Sequence, residues 1–481
     1  MSSPESDPTA VPVEKVKVRL AVYDRASSLR KDGQRPFVHT ADVSGRFMTL
    51  KRVVFYVLIG IWAVLPWLEL NGRPAVFLDV PARRFFLFGG SFDATSFWLL
   101  WFLLTGILFS LLLTTTTLGR VWCGYACPQT VFLEGMFRRI ERLFEGPRNE
   151  RIARDSAPLS LDKFLRRTGK HIAYVLAALF ISHMFVAYFV SMPSLLEMMT
   201  RSPSEHPYAF AWCFAVGTIL YGNFAWFREQ VCLIVCPYGR LQSVLLDDDS
   251  IVIGYDDKRG EPRGKGKPKE GEARGDCVDC NRCVVVCPTG IDIRHGLQID
   301  CVGCAQCIDA CDDVMDKLKK PRGLIRYDSL HGLRGEKKRF WRPRVFFYLI
   351  VGTILVSTGA FFLTTRSDVE ARILRLRGLP YVVEGDSLRN AYEIHLVNDS
   401  DIPRTFELET SLEGLEGTIF AGEHDDSTET LEIPPWTDRR VTVVVRTPRE
   451  GFHAGGHLHA TVRVGRERRD LLADVLGPSS H

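Results

Sequence analysis

The sequence predicts a polytopic α-helical membrane protein with five transmembrane helices, a cysteine-rich insert before the fifth, and a C-terminal all-β sandwich. Three observations predict it. Five apolar runs, roughly 53–70, 97–118, 171–192, 208–227 and 345–364, each approach the twenty or so residues that cross a bilayer as helix. Eight of the 13 cysteines fall in one short block, 277–311. The tail beyond 366 has no cysteine, and its apolar residues alternate with polar ones.

Residues 1–51 read as a mobile basic arm. The first apolar run follows this long polar segment, so it reads as a signal anchor and not as a cleavable signal peptide. Lys and Arg number 10 in 1–52, 3 in 71–95, 11 in 119–170, 1 in 193–207 and 22 in 228–344. Positive charge stays inside, so this alternation puts the arm and the second and fourth connections in the cytoplasm. With five crossings the C-terminal segment lies outside, in the periplasm of a bacterial inner membrane. The net charge of +4 is small, and no nucleic-acid partner is expected.

Residues 52–256 hold the first four spans and their connections. Within them VFLEGMFRRIERLF (131–144) has helical periodicity with Arg on one side, which suits an interfacial helix. Residues 257–275, almost all Gly, Pro and charge, read as a flexible linker. The insert spans 276–340 and the fifth helix 341–366. In 367–481, YEIHLV, TFELET, TLEIPP, RVTVVVRT and LHATVRV are separated by Asn, Asp, Gly and Pro turns, the pattern of an antiparallel, immunoglobulin-like sandwich.

The insert reads CVDCNRCVVVCP at 277–288 and CVGCAQCIDACD at 301–312. Each half is Cys-x-x-Cys-x-x-Cys-x-x-x-Cys. A tight loop with a cysteine every third residue wraps three corners of a four-iron cubane, and in two-cluster ferredoxins the fourth ligand comes from the opposite half. That crossing assigns Cys277, Cys280, Cys283 and Cys311 to one [4Fe-4S] cluster, and Cys301, Cys304, Cys307 and Cys287 to the other. Zinc also takes Cys-x-x-Cys pairs, but it leaves the third and fourth cysteines of each run unexplained. The insert is therefore a two-cluster ferredoxin-like domain on the reducing, cytoplasmic side. Two clusters carry single electrons, so a cytoplasmic electron donor and an acceptor are implied.

Two further cysteine pairs, VWCGYACP at 121–128 and QVCLIVCP at 230–237, follow the second and fourth apolar runs. On a helix Cys123 and Cys127 are i and i+4 on one face, as are Cys232 and Cys236, with Pro128 and Pro237 ending each helix at the rim. Both helices cross in the same sense, so the pairs reach similar depth and can meet as one four-thiolate site. Such thiolates suit Cu(I), a further iron–sulfur centre, or dithiol–disulfide cycling. Cys213 reads as a packing residue. His183, Met184, Met192, Met198, Met199 and His206 lie toward the outer face, and Met in apolar helices is mostly core filler.

GRVWCGYACPQTVF, FREQVCLIVCPYGRLQSVL and the double cysteine run together resemble the cytochrome c oxidase accessory family (CcoG, also called FixG or RdxA), related to polyferredoxins of the NapH and NosR types. The resemblance covers most of the chain. It implies a role in assembling a cbb-type oxidase by reducing Cu(II) to Cu(I), with Cys123, Cys127, Cys232 and Cys236 as the reducing and copper-holding residues. The implied partners are copper ion, oxidase subunits or copper chaperones, and a second copy of the chain. Two other readings stay open: a quinone-linked electron-transfer protein, and a non-catalytic assembly factor.

The charge asymmetry makes a direct demand. A reporter active only outside the cytoplasm should work when fused after residue 370 and fail when fused near 265. The opposite pattern would invert the topology.

Overall fold

The computed structural model describes residues 38–70, 73–92, 97–266, 274–365, 369–376, 378–400, 402–421, 428–435, 437–450, 452 and 455–478. Among them five helices are long and apolar enough to cross a membrane: Arg46–Trp67, Trp98–Leu118, Leu161–Val190, Pro207–Phe227 and Pro343–Thr364. Leu104, Phe214, Trp226 and Phe361 leave large apolar faces exposed on them, surface that a lipid environment covers and water would not. The first and third helices start earlier than their apolar runs, because basic turns at 46–52 and 161–170 continue into the same helix. Ser160 caps the third, its hydroxyl accepting from the Lys163 amide at 3.2 Å.

The arm expected over 1–51 ends by Arg46, where helix begins; residues 1–37 lie outside the described residues. Just before the helix, the Ala41 amide donates to the Val285 carbonyl at 3.0 Å. Asp309, from the cysteine-rich block, then accepts from the Met48 amide at 2.7 Å and the Phe47 amide at 3.3 Å. A carboxylate on the free amides of a helix start satisfies orphan donors and the helix dipole together. The first span is thereby capped by a residue 261 positions away.

The stretch expected to be an interfacial helix is instead a buried strut. Helix runs from Pro128 to Phe132, through a π-helical turn Leu133–Phe137, and on over Arg138–Glu145. Arg138 is buried between Glu134 and Glu229 and pairs with both. Glu141 takes Arg228 at 3.0 Å and Arg151 at 3.1 Å. The apolar side, with Phe137 stacked on Phe224 at 4.3 Å between ring centres, packs with Tyr174, Ala178 and Ile181 of the third span. Periodicity located the amphipathic face, but the partner that covers its charged side comes from residues 90 positions away.

The cysteine-rich block is closed by strand Val252–Tyr255 pairing antiparallel with Ile325–Asp328. Helices Arg282–Val285 and Gln306–Lys317 pack on it around Ile253, Ile308, Met315, Leu324 and Ile325. Within 257–275, Asp257–Gly260 is one helical turn and Arg259 Nε donates to Asp276 at 2.5 Å; residues 267–273 lie outside the described residues.

The chain divides into two units, Met1–Gly359 and Ala360–His481. Among the described residues the second holds nine strands: β1 Val369–Arg375, β2 Val382–Glu384, β3 Ser387–Asn398, β4 Arg404–Glu413, β5 Thr418–Ala421, β6 Thr428–Ile433, β7 Thr437–Pro448, β8 His457–Val464 and β9 Glu467–Asp474. One sheet runs β5-β7-β3-β1 with β2 on the end of β3, the other β6-β4-β8-β9, all antiparallel. Their facing sides bury Tyr392, Ile394 and Leu396 from β3, Phe406 and Leu408 from β4, and Val443, Leu458 and Val462. All five strands expected from alternation are present. The four others are short or, like β9, charged on their outward side, which is how sheet edges are protected from pairing.

Glu141 gives an acid-stability test. Burial pushes its carboxyl up, but the Arg228 charge and hydrogen bonds, then Arg151, overcome this and hold it at about 2, against an ordinary 4.5. A carboxyl depressed in the folded state contributes stability that is full above the unfolded pKa. That stability fades as pH falls from about 4.5 toward 2. The thermal midpoint in detergent should drop over that window. Glu141→Gln should remove part of the drop and cost about 3–5 kcal/mol at pH 7, because two buried arginines lose their partner.

Candidate electron-transfer site

The eight cysteines of the insert gather into two sets. Cys277, Cys280, Cys283 and Cys311 surround one void of about 20 Å³, and Cys287, Cys301, Cys304 and Cys307 surround a second of the same size, which Cys283 also borders. Each void is thus bordered by three cysteines of one run and one, Cys311 or Cys287, of the other, the grouping that the crossing predicts. Among the described residues no three His, Cys, Asp or Glu side chains close tightly enough for a single ion, whereas a cubane spaces its four thiolates more widely. The donor set of four soft sulfurs with apolar walls therefore fits a [4Fe-4S] group in each void. Cys280 is exposed, so the first set opens to solvent. No cysteine of the second set is exposed, and Cys304 is buried beside Gly124.

The two membrane motifs are not continuous helix. Cys123 lies in the short helix Val121–Tyr125, but Cys127 is extended (φ −63°, ψ 128°) and precedes a new helix at Pro128. Cys232 lies in the π-helical turn Val231–Val235, and Cys236 is likewise extended (φ −69°, ψ 110°) before Pro237–Leu245. The expected i, i+4 face is corrected accordingly. A residue before proline is driven out of the helical region, and proline then suits the first turn of the next helix. Each motif so presents one thiol inside a turn and one at a helix start.

The four thiols lie within range of one another's charge. Burial pushes Cys123 up to about 12, with Cys127 next and Cys236 adding; burial likewise pushes Cys232 to about 12, with Cys127 and Cys123 adding. For Cys127 burial raises the pKa while the Gln129 and Thr130 amides pull it back. The two pairs thus converge, but one ion held by all four sulfurs requires the loops to close further than they do here.

What joins this thiol group to the second cluster set is close backbone contact. A Cβ on Gly124 would lie 2.6 Å from the Gly303 carbonyl oxygen and 3.2 Å from Cys304 Cα. Gly303 has φ +68°, where glycine is favoured, and a Cβ there would lie 2.9 Å from the Arg120 carbonyl. The Arg120 guanidinium donates to the carbonyls of Ile299, Cys301 (3.0 Å) and Gly239, which belong to the cluster loop and to the second motif. Tyr327 OH donates to the Gly303 carbonyl at 2.7 Å.

Several of these residues escaped the reading of motifs. Cys123 Sγ lies 3.2 Å from Gln242 Oε1, which is fully buried. Gln129 and Asn223 exchange amide hydrogen bonds at 2.8 and 3.0 Å, and Gln129 also donates to the Arg228 carbonyl at 2.9 Å, tying the first motif to the end of the fourth span. A polar amide in an otherwise apolar run was the available signal. Cys213 is buried with Met184 and Met192 in an apolar cluster, as packing residues are.

These features define an iron–sulfur electron-transfer protein built on apolar helices. The chain matches the family described as "4Fe-4S dicluster domain" over residues 227–330 and "4Fe-4S binding domain" over 99–147, the latter holding Cys123 and Cys127. Residues 359–474 match "IG-like fold at C-terminal of FixG". It is 36% identical over 453 residues to the nitrogen fixation protein FixG of Rhizobium meliloti, covering 85% of this chain and 86% of that one. It is 38% identical to RdxA of Cereibacter sphaeroides (76% and 80% covered) and 38% identical to RdxB of the same organism (77% and 81%). The chain belongs to the FixG/RdxA family.

Anaerobically purified protein should carry about eight irons per chain, the content of two four-iron clusters. Cys280→Ser and Cys304→Ser should each remove one of two paramagnetic signals and leave the other. Loss of both from either change would break the two-set assignment.

Proposed function

We propose that this protein reduces Cu(II) to Cu(I) at its paired membrane cysteines, for the assembly of a cbb-type cytochrome c oxidase. The carrying observation is the contact of Gly124 with Gly303 and Cys304, which joins the cysteine-rich insert to the thiol motifs by packed backbone. When bound, the two four-iron clusters supply single electrons, which matches the one-electron change Cu(II) + e⁻ → Cu(I). Cys123, Cys127, Cys232 and Cys236 bind the ion. Soft thiolates favour Cu(I) over Cu(II) and so increase the driving force for reducing bound Cu(II). Buried thiols that keep their protons release them when a metal binds, so copper binding at this site is favoured by rising pH. In this reading the N-terminus and the insert face the cytoplasm, where exposed Cys280 meets the electron donor, and the C-terminal unit faces the periplasm, where it docks oxidase subunits or a copper chaperone.

One observation favours a quinone-linked reading as the second choice. A cavity of about 140 Å³ beside the second cluster set is lined by Leu118, Leu246, Ile251, Leu297 and Ile299, with Cys301 and Tyr327 at its edge. Its apolar walls begin at the last residue of the second span, where a lipid-soluble ring can enter.

Cys127→Ser and Cys236→Ser should each cut cupric reduction, driven by a chemical reductant, by at least tenfold. The double variant should be little worse, because residues acting as a unit are non-additive. Both variants should keep their iron. Unaltered copper reduction would remove the thiols from the reaction, and loss of quinone reactivity alone would favour the second reading.

A further inference from the structure

Between the segment before the first span and the strut 128–145 lies a polar cavity of about 40 Å³. Arg52, Arg138, Arg139, Arg142 and Arg151 line it, against only two lining carboxylates, Asp42 and Glu134. Arg142 pairs with Asp42 at 2.5 Å, Arg138 with Glu134 and Glu229, and Arg151 with Glu141. Arg139 has no ion pair among the described residues. Arg52 reaches only the Val43 carbonyl, at 3.4 Å. Beyond this imbalance, the Nε–H groups of Arg52, Arg138 and Arg151 are all buried without a hydrogen-bond partner. Arg138 and Arg151 are themselves only 8% and 6% exposed. Three guanidinium donors left orphaned on arginines that line one cavity are costly unless something accepts from them.

We infer that this cavity is a binding site for a phosphate-class oxyanion. One water needs about 10–15 Å³ of such space, so the cavity admits about three waters or one tetrahedral anion. Waters would meet the hydrogen bonds, but only an anion also meets the excess of cations. Guanidinium forks match phosphate oxygens in geometry. Met48 and Arg52, on the wall, belong to the first turns of the first candidate span. That is the depth of phospholipid phosphates, and basic pockets beside spanning helices hold anionic headgroups. Gln306, also on the wall, sits between cluster ligands Cys304 and Cys307, so the anion braces the helix that carries Cys307 and Cys311. The site is independent of what the membrane thiols reduce.

The test uses the full iron-loaded chain, delipidated in a non-ionic detergent. Its thermal midpoint is read with inorganic phosphate, with chloride at equal ionic strength, with phosphatidylglycerol, and with phosphatidylcholine. Phosphate or phosphatidylglycerol should raise the midpoint by several degrees, and chloride and phosphatidylcholine should not. A rise with phosphatidylglycerol alone identifies a lipid headgroup, and a rise with inorganic phosphate identifies a free anion. Arg139→Gln, which breaks no internal ion pair, should weaken the response at least tenfold in ligand concentration while the iron content stays unchanged. If neither anion raises the midpoint, if chloride or phosphatidylcholine does so equally, or if Arg139→Gln responds like the parent, the cavity holds only water and the inference falls.

Discussion

The structure turns on two glycines meeting where a methyl group would not fit. Gly124 in the first membrane motif and Gly303 in the second cysteine run bring two backbones so close that a Cβ on Gly124 would lie 2.6 Å from the Gly303 carbonyl oxygen. Close approach without side chains is what glycine permits, at the cost of extra freedom in the unfolded chain. Arg120 offsets that freedom. A guanidinium has five donors in a rigid fork, and this one holds carbonyls of Ile299, Cys301 and Gly239 at once. Three segments far apart in sequence are thus fixed about one side chain, and a lysine there would hold them less well because it lacks the planar fork.

Around that contact the protein accepts buried charge. Glu134, Arg138, Glu229, Arg228, Glu141 and Arg151 form one chain of ion pairs beneath the insert, with Arg228 2% and Glu141 1% exposed. Such networks contribute little over apolar packing of equal volume, but a missing partner is penalised by several kcal/mol. Their effect here is on placement. The strut, the end of the fourth span and helix Arg148–Ser156 are charge-matched in one arrangement, and a shift by one turn would leave a bare ion in the interior.

What the sequence disclosed follows from where the information lay. The cysteine runs carry their spacing locally, and the crossing of Cys287 and Cys311 follows from the tight loops themselves. Apolar runs and strand alternation are local as well, and the fold class was legible from them. The break at each motif was also written locally, since Cys127 and Cys236 precede proline, but i, i+4 spacing masked it. The strut's partners were not legible: Arg138 and Arg142 look the same in sequence whether they stand free or pair with Glu229 and Asp42. Asp309 as the cap of the first span is beyond any local pattern, because its donors are some 260 residues earlier.

The broken motifs have a chemical consequence that continuous helices would not. At each Cys-Pro step the second cysteine stands at the start of a helix, where free amides and the helix dipole favour negative charge. For Cys127 the Gln129 and Thr130 amides oppose the effect of burial. For Cys123 burial is the largest effect and holds the proton on, although the Arg120 charge and the Gln242 hydrogen bond pull the other way. Each pair therefore joins a sulfur at a helix start to one set in a turn, Cys123 or Cys232, that burial keeps protonated. Were a soft cation bound here, as the proposed function requires, these thiols would have to give up protons to hold it. Proline is what makes this possible, because it ends one turn and begins the next at the residue where the thiol is needed.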